Sequence, residues 1–472
     1  MELLFCPLRE WTLKDPHRNV IKVDGQPVSR RDLDAKVELF RKAFHDQGVR
    51  KGDRILAPLT HALDAVTLII ACLRSQWVYC PVNPQMPDEQ KEQYCQKIGA
   101  QWSLQADIGE TKALEWPALT EPVKGNDRSL TIESEVICDL IATSGTTGVP
   151  KAVSHTFANH AYSAKGSEVS TPLTEEDSWL LSLPLFHVGG FGIVIRCLLA
   201  GAEMVIDTKK TPLQQLLVQH RITHVSLVNT QLRRLLVQGA ESLDHCELKY
   251  ILVGGGFASA ELVSMVQAKD IRILTTYGMT EMSSQVCTGI PRFTDSGITS
   301  GEPLPYRDVS IDASGEILVK GKTLSSGYFE NNRIIPILDE QGWYHTGDLG
   351  QWAGHQLVVI GRIDNMLISG GENIHPEEIE KALLSIDDII MAVVVSVKDD
   401  DYGQRPFAFV QTESGSLNEV FTKQKLVGTI SRFKIPDMIR LLPVEQIPTG
   451  LKPNRQTLQA LAGRLAEESS LA

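Results

Sequence analysis

At 472 residues, with 42% hydrophobic and 22% charged side chains, the chain has the material for two or three soluble domains, each with its own core. A formal net charge of −12 argues against nonspecific nucleic-acid binding, though not against a local anion site. No internal repeat and no low-complexity segment suggests a solenoid or a disordered protein.

Along the chain, residues 1–10 lack the basic and apolar regions of a signal peptide. The longest apolar run, 191–206, is interrupted by Arg196 and Glu203 and is too short for a membrane span. The eight cysteines have no CxxC spacing and sit mostly in apolar stretches, which predicts buried free thiols in a reducing cytoplasm rather than disulfides or a zinc site. From residue 136 onward, short β-rich runs alternate with helical patterns. Strands are expected at 136–142, 203–206, 223–228, 250–253 and 271–275, and helices at 213–220 and 231–237. That alternation predicts an α/β domain with parallel-type sheets. After Gly297, the runs 316–319 and 357–360 predict a β-rich subdomain. A compact α+β unit follows, with a helix at 376–384 opening on Pro376 and strands at 389–397 and 406–411. The expected division is a large domain, 1–362, and a small mobile C-terminal domain, 363–472.

Thr143-Ser-Gly-Thr-Thr-Gly-Val-Pro-Lys151 follows the first of these strands. Glycines let backbone N–H groups turn inward, hydroxyls add donors and the lysine adds charge, a combination that suits a polyphosphate. A polar surface loop is the alternative for such a run. It is not a Walker A loop, because Val149 and Pro150 separate Gly148 from Lys151. Further along stand Gly254-Gly-Gly-Phe-Ala-Ser259, Tyr277-Gly-Met-Thr-Glu281, Tyr344-His-Thr-Gly-Asp348, Gly361-Arg362 and Ser369-Gly-Gly-Glu-Asn-Ile374. Taken alone, Glu281 reads as a solvated acid and Asp348 as a turn cap.

Together, and in this order, these segments resemble the signatures of the adenylate-forming superfamily, which includes acyl-CoA synthetases. The resemblance implies that Thr143, Ser144, Gly145, Thr146, Thr147, Gly148 and Lys151 hold the ATP phosphates. Gly254, Gly255 and Gly256 would approach the adenine, where only glycine lets backbone pass closely. Tyr277 would pack on the base, Thr280 would contact the α-phosphate and Glu281 would hold Mg2+, a hard cation suited to oxygen ligands. Asp348 and Arg362 would clamp the ribose. Asp364 would be the hinge of the C-terminal domain, and Gly370 and Gly371 would line the CoA tunnel. The catalytic lysine of the family stands in a G-K-x-x-R pattern; here Leu451 separates Gly450 from Lys452, but Lys452 and Arg455 keep the K-x-x-R spacing. Lys452 would bridge charge developing between the carboxylate and the α-phosphate. His187, in Pro184-Leu-Phe-His-Val-Gly-Gly190, would gate or orient the acyl and thiol sites, against the alternative of a packed, hydrogen-bonded histidine.

Arg196 is the odd residue in its apolar segment. A guanidinium there needs a partner, either a protein carboxylate or an anionic substrate group. Nearly the whole chain resembles the o-succinylbenzoate–CoA ligase family of bacterial menaquinone synthesis. Its substrate is an aryl dicarboxylate, and Arg196 and Ser226 match the positions that recognise the carboxylate that does not react. The expected substrates are therefore that acid, ATP and CoA, with AMP and pyrophosphate released. Ligation of another aryl or acyl acid, transfer to a carrier-protein thiol, and a noncatalytic nucleotide-binding homologue are the alternatives. No nucleic acid and no membrane span are expected, and homo-oligomers remain open.

Overall fold

The computed structural model describes residues 3–104, 107–117, 130–143, 149–256, 260–269, 271–295, 297–446 and 454–470. Two large mixed sheets form the body, one of eight strands and one of nine. Six strands of the larger sheet run parallel, in the order Arg272–Met279, Tyr250–Val253, His224–Leu227, Ser178–Leu180, Glu203–Ile206 and Asn19–Val23. Antiparallel strands close both of its edges. The strands expected at 203–206 and 250–253 match within a residue, because a strand buried on both faces reads as a continuous apolar run. The helices expected at 213–220 and 231–237 are Leu213–Gln219 and Asn229–Gly239.

Two helices, Ala62–Ser75 and Val188–Ala200, are buried along most of their length. A helix apolar on all sides belongs inside a core, and both contribute to a cluster shared by the two sheets, with Ile55, Tyr79 and Ile141 from one and Met204, Leu252 and Leu274 from the other. The apolar run 191–206 is thus the end of a core helix followed by a core strand. Among the described residues no helix is long and apolar enough to cross a membrane. Seven of the eight cysteines are buried and Cys246 is partly so, all as free thiols.

The β-rich segment is a four-stranded antiparallel sheet of Arg307–Ile311, Glu316–Gly321, Tyr344–Ala353 and Gln356–Arg362. After a short turn, Ile363–Asn365, a five-stranded sheet begins at Leu367–Ser369 and packs with the helices Pro376–Leu384, Glu419–Leu426 and Arg455–Ser470. Pro376 opens its helix with Glu377 and Glu378 in the first turn, as the sequence predicts. Two expectations change. The strand expected at 271–275 extends to Met279 and takes in Tyr277. Asp348 is a strand residue rather than a turn cap, because it faces Arg362 across an antiparallel ladder.

Candidate active site

The phosphate-loop segment joins two antiparallel strands, Ile137–Thr143 and Lys151–Thr156, and Thr143 is registered opposite Lys151. Ser144, Gly145, Thr146, Thr147 and Gly148 lie outside the described residues. The Lys151 ammonium sits 4.7 Å from the centre of the Tyr328 ring, an arrangement in which ring and cation attract. The Tyr328 hydroxyl donates to Glu281 Oε1 at 2.8 Å and lies 3.1 Å from the Tyr344 hydroxyl. Burial, with Glu281 adding to it, pushes both phenols well above their usual range, so each remains a neutral O–H. Glu281 is therefore not a freely solvated acid: a phenol fixes one of its oxygens beside the lysine's aromatic rest. A half-buried carboxylate oriented in this way fits a hard cation such as Mg2+.

A second network joins three of the sequence segments. The Tyr277 ring is buried and its hydroxyl donates to Asp348 Oδ2 at 2.7 Å. Arg362 Nη1 donates to Asp348 Oδ1 at 2.9 Å, and Arg362 Nη2 reaches Asp364 Oδ2 at 3.4 Å. Beside this segment, a Cβ on Gly254 would lie 2.7 Å from Thr276 Cγ2, and Gly255 has φ +81°, so both positions require glycine. Gly256 faces open space. One carboxylate thus gathers the aromatic and the arginine proposed for base and ribose.

His187 stands at the N-terminus of the helix Val188–Ala200 without a side-chain capping hydrogen bond, and its ring is 4.6 Å from that of Phe186. On that helix, Arg196 is buried. Its Nε donates to Ser167 Oγ at 3.2 Å and its Nη2 to Gln285 Oε1 at 2.7 Å, and its guanidinium lies 5.6 Å from the Trp179 ring centre. Among the described residues it forms no ion pair, so the protein-carboxylate alternative is not realised. Burial pushes it down to about 10, the mark of a cation held among neutral groups. Ser226 is buried, and its Oγ has no hydrogen-bond partner among the described residues. An orphaned buried hydroxyl is costly unless a ligand meets it.

Gly370 and Gly371, at φ +58° and +87°, make the exposed turn between Leu367–Ser369 and Glu372–Ile374, a hairpin of the last sheet. Neither belongs to the two networks above. Lys452 lies outside the described residues. Its neighbour Arg455 pairs with Glu380 at 2.6 Å and donates to the Val394 carbonyl at 2.6 Å, tying that end of the chain to the C-terminal sheet. Lys434 is already paired with Glu378 at 2.7 Å.

The family model for AMP-binding enzymes matches residues 8–329, and that for the AMP-binding enzyme C-terminal domain matches 378–449. The chain belongs to the AMP-binding enzyme family. It is 35% identical to the 2-succinylbenzoate–CoA ligase of Escherichia coli K12 over 96% of this chain and 97% of that one. It is 30% identical to the ligase of the same name from Bacillus cereus AH820, over 99% and 100%. Among solved structures, an E. coli MenE variant with bound OSB-AMS matches with a TM-score of 0.86 at 31% identity, covering 98% of this chain and 99% of that one. The Bacillus subtilis o-succinylbenzoate CoA synthetase in complex with the acyl-adenylate intermediate OSB-AMP matches at 0.84 and 27%, covering 97% and 99%. The same enzyme with ATP and magnesium ion matches at 0.83 and 26%, covering 96% and 98%.

Four further groups have no counterpart in the sequence reading. Tyr328 holds Glu281, and Tyr344 lies against the Tyr328 hydroxyl, as described. Arg307 is a second buried guanidinium beside Arg196; it donates to the Gln285 and Ser163 carbonyls at 2.9 and 3.3 Å, and burial, reinforced by Arg196, pushes it down to about 9. Asp139, an acid inside an apolar strand, was the visible signal of a fourth group, a buried cluster with His155 and His160.

Proposed function

We propose that this AMP-binding enzyme is an ATP-dependent 2-succinylbenzoate–CoA ligase of menaquinone biosynthesis. The acid's carboxylate attacks the α-phosphate of ATP to give an acyl-adenylate and pyrophosphate, and the CoA thiol then takes the acyl group and releases AMP. Arg196 carries the choice of acid. It is a buried guanidinium with only neutral partners among the described residues, and it suits the second carboxylate of a dicarboxylate. Ser226 supports the same reading as a buried hydroxyl awaiting a partner.

In this reading Lys151 and the loop before it receive the phosphates, Thr280 meets the α-phosphate, and Tyr277, Asp348 and Arg362 hold the nucleoside. Glu281 would hold Mg2+, which when bound supplies neutralising charge at the phosphate oxygens. Lys452 belongs to a mobile C-terminal domain, 363–472, that pivots about Asp364 on the large domain, 1–362. Gly370 and Gly371 then line the CoA tunnel, and His187 orients the acyl–thiol junction. The enzyme works in the cytoplasm on small molecules.

A panel of mono- and dicarboxylates assayed for acyl-CoA by mass spectrometry, with pyrophosphate release in parallel, tests the assignment. 2-Succinylbenzoate should be converted in preference to aryl monocarboxylates, and preferred conversion of a monocarboxylate would overturn it. Lys452→Ala should nearly abolish adenylate formation while sparing thioester formation from supplied acyl-adenylate. Normal adenylation by this variant would remove Lys452 from the site.

A further inference from the structure

The strands on either side of the phosphate loop carry a buried charged cluster that the roles above leave unused. Asp139 and His155 are cross-strand partners, and both are fully buried. His155 Nδ1 lies 2.7 Å from Asp139 Oδ1, and His160 Nε2, from the following helix Phe157–Ser167, lies 2.6 Å from Asp139 Oδ2. The other nitrogen of His155 crosses to a third element: its Nε2 is 2.7 Å from the carbonyl oxygen of Thr280. One side chain thus bridges the phosphate-loop hairpin and the Tyr277–Glu281 segment, which are 125 residues apart.

The partners fix the chemistry of the ring. A carbonyl oxygen can only accept, so Nε2 must carry a proton. Asp139 is held well below the usual carboxylate range: burial opposes its charge, but His160 and His155 outweigh it. It therefore accepts as well, and Nδ1 must donate. His155 is then a doubly donating imidazolium. Burial opposes that charge too, but Asp139, the Thr280 carbonyl and Glu281 together raise it. His160 is shifted the other way by burial and completes the shell as a neutral donor. The ligand atoms of Cys138, Asp139 and His160 lie within 4.8 Å of one another, a spacing that would also admit a metal. However, burial pushes the Cys138 thiol well up, and it donates to Asp139 rather than presenting a thiolate.

We propose that His155 is a positioning residue that locks the Thr280–Glu281 turn onto the phosphate-loop hairpin, so that the two phosphate-facing segments hold one geometry during adenylation. Asp139 and His160 hold the ring in place. The lock is made of two charge-assisted hydrogen bonds in a site without water exposure, where such bonds are strongest. It rests on the reading that Thr280 meets the α-phosphate.

Amide substitutions separate the two bonds. In His155→Asn the side-chain nitrogen stands near the place of Nδ1 and can reach Asp139 but not Thr280. In His155→Gln it stands near the place of Nε2 and can reach Thr280. Each variant of the full-length enzyme is assayed for 2-succinylbenzoate-dependent ATP–pyrophosphate exchange, for thioester formation from supplied acyl-adenylate, and for Tm. His155→Asn should lower the exchange kcat by about ten- to a hundredfold, the rate equivalent of one hydrogen bond to a charged group. Thioester formation should change by less than about threefold, and His155→Gln should recover most of the exchange. Normal exchange in His155→Asn would overturn the proposal. So would an equal loss in both variants and both half-reactions that tracks Tm, because that is what a purely structural histidine gives. Thr280→Ala tests the underlying reading separately: unimpaired exchange there removes Thr280 from the phosphate. Impaired exchange in Thr280→Ala with normal His155→Asn overturns the positioning role alone. Should His155→Asn fail to fold, nitrogen-detected NMR of the wild-type enzyme decides. Two protected ring N–H protons on His155 are expected, and a single one overturns the lock.

Discussion

A buried cation with neutral neighbours is a stronger statement about a ligand than any surface charge. Arg196 has Ser167, Ser284 and Gln285 as hydrogen-bond partners and Trp179 under its guanidinium, with a second cation, Arg307, close behind. Desolvation without a counter-charge costs folding energy that an anionic substrate would offset on binding. Arg196→Ala should therefore cut kcat/KM for 2-succinylbenzoate by roughly 2–4 kcal/mol of transition-state binding, the scale for losing one side of a desolvated pair. KM for ATP should hardly change. An analogue without the spare carboxylate should lose far less, and Tm should not fall, because the variant removes an unpaired buried charge. Equal losses on both acids would remove the charge-based argument for a dicarboxylate. Arg196 was legible in the sequence as a charge inside an apolar segment. Asp139 carried the same signal, in Ile137-Cys-Asp-Leu-Ile141, but its meaning depends on His155 across the hairpin and on Thr280 far along the chain, and spacing alone gives neither.

At the scale of elements, four of the six parallel strands of the nine-stranded sheet could be read, because burial on both faces leaves a continuous apolar run, whereas Asn19–Val23 and the three-residue Ser178–Leu180 could not. The antiparallel joints could not. The Tyr277–Asp348 contact spans 71 residues, and the ladder between Arg272–Met279 and Ser284–Gly289 shifts register after Tyr277. That shift explains the glycine inside the motif. A Cβ on Gly278 would lie 2.1 Å from the Ser284 carbonyl oxygen, which is backbone and cannot swing aside. Gly278→Ala should destabilise by about 1–3 kcal/mol, the usual cost of overpacking, seen as a lowered Tm. It should also depress pyrophosphate exchange by displacing Tyr277 and Thr280 at either side. Gly256→Ala, which faces open space, is the control and should leave Tm unchanged. If the two variants melt alike, the strands can separate at Gly278 and its conservation of space is not what shapes the segment.

At the scale of the molecule, the two family models match 8–329 and 378–449, and the residues between them hold Asp348, Arg362, Asp364, Gly370 and Gly371. The expected boundary at 362–363 falls inside that gap, at the end of the strand Gln356–Arg362 and the start of the turn Ile363–Asn365. Sequence could point to this place because the β-rich pattern stops there, but it could not show how the turn is held: Asn365 Nδ2 donates to Glu377 Oε1 at 2.5 Å. Asp364 has a side chain 62% exposed and meets Arg362 at 3.4 Å. Gly370 and Gly371 sit on an exposed turn of the last sheet, separate from the networks around Glu281 and Asp348, so the CoA-tunnel role proposed for them requires that sheet to be presented differently in the second half-reaction. Asp364→Pro tests this requirement. Proline fixes φ at its own position and pushes Ile363 away from helical geometry, so the turn loses the freedom a pivot needs. Adenylation should stay within a few-fold of wild type, while thioester formation from supplied acyl-adenylate should fall by about tenfold or more, a barrier of roughly 1.4 kcal/mol. Asp364→Ala removes the same exposed side chain without constraining the backbone, and should leave both half-reactions near normal. Equal loss of both steps in the proline variant would mean a damaged fold, and unchanged turnover would place the pivot elsewhere in the gap.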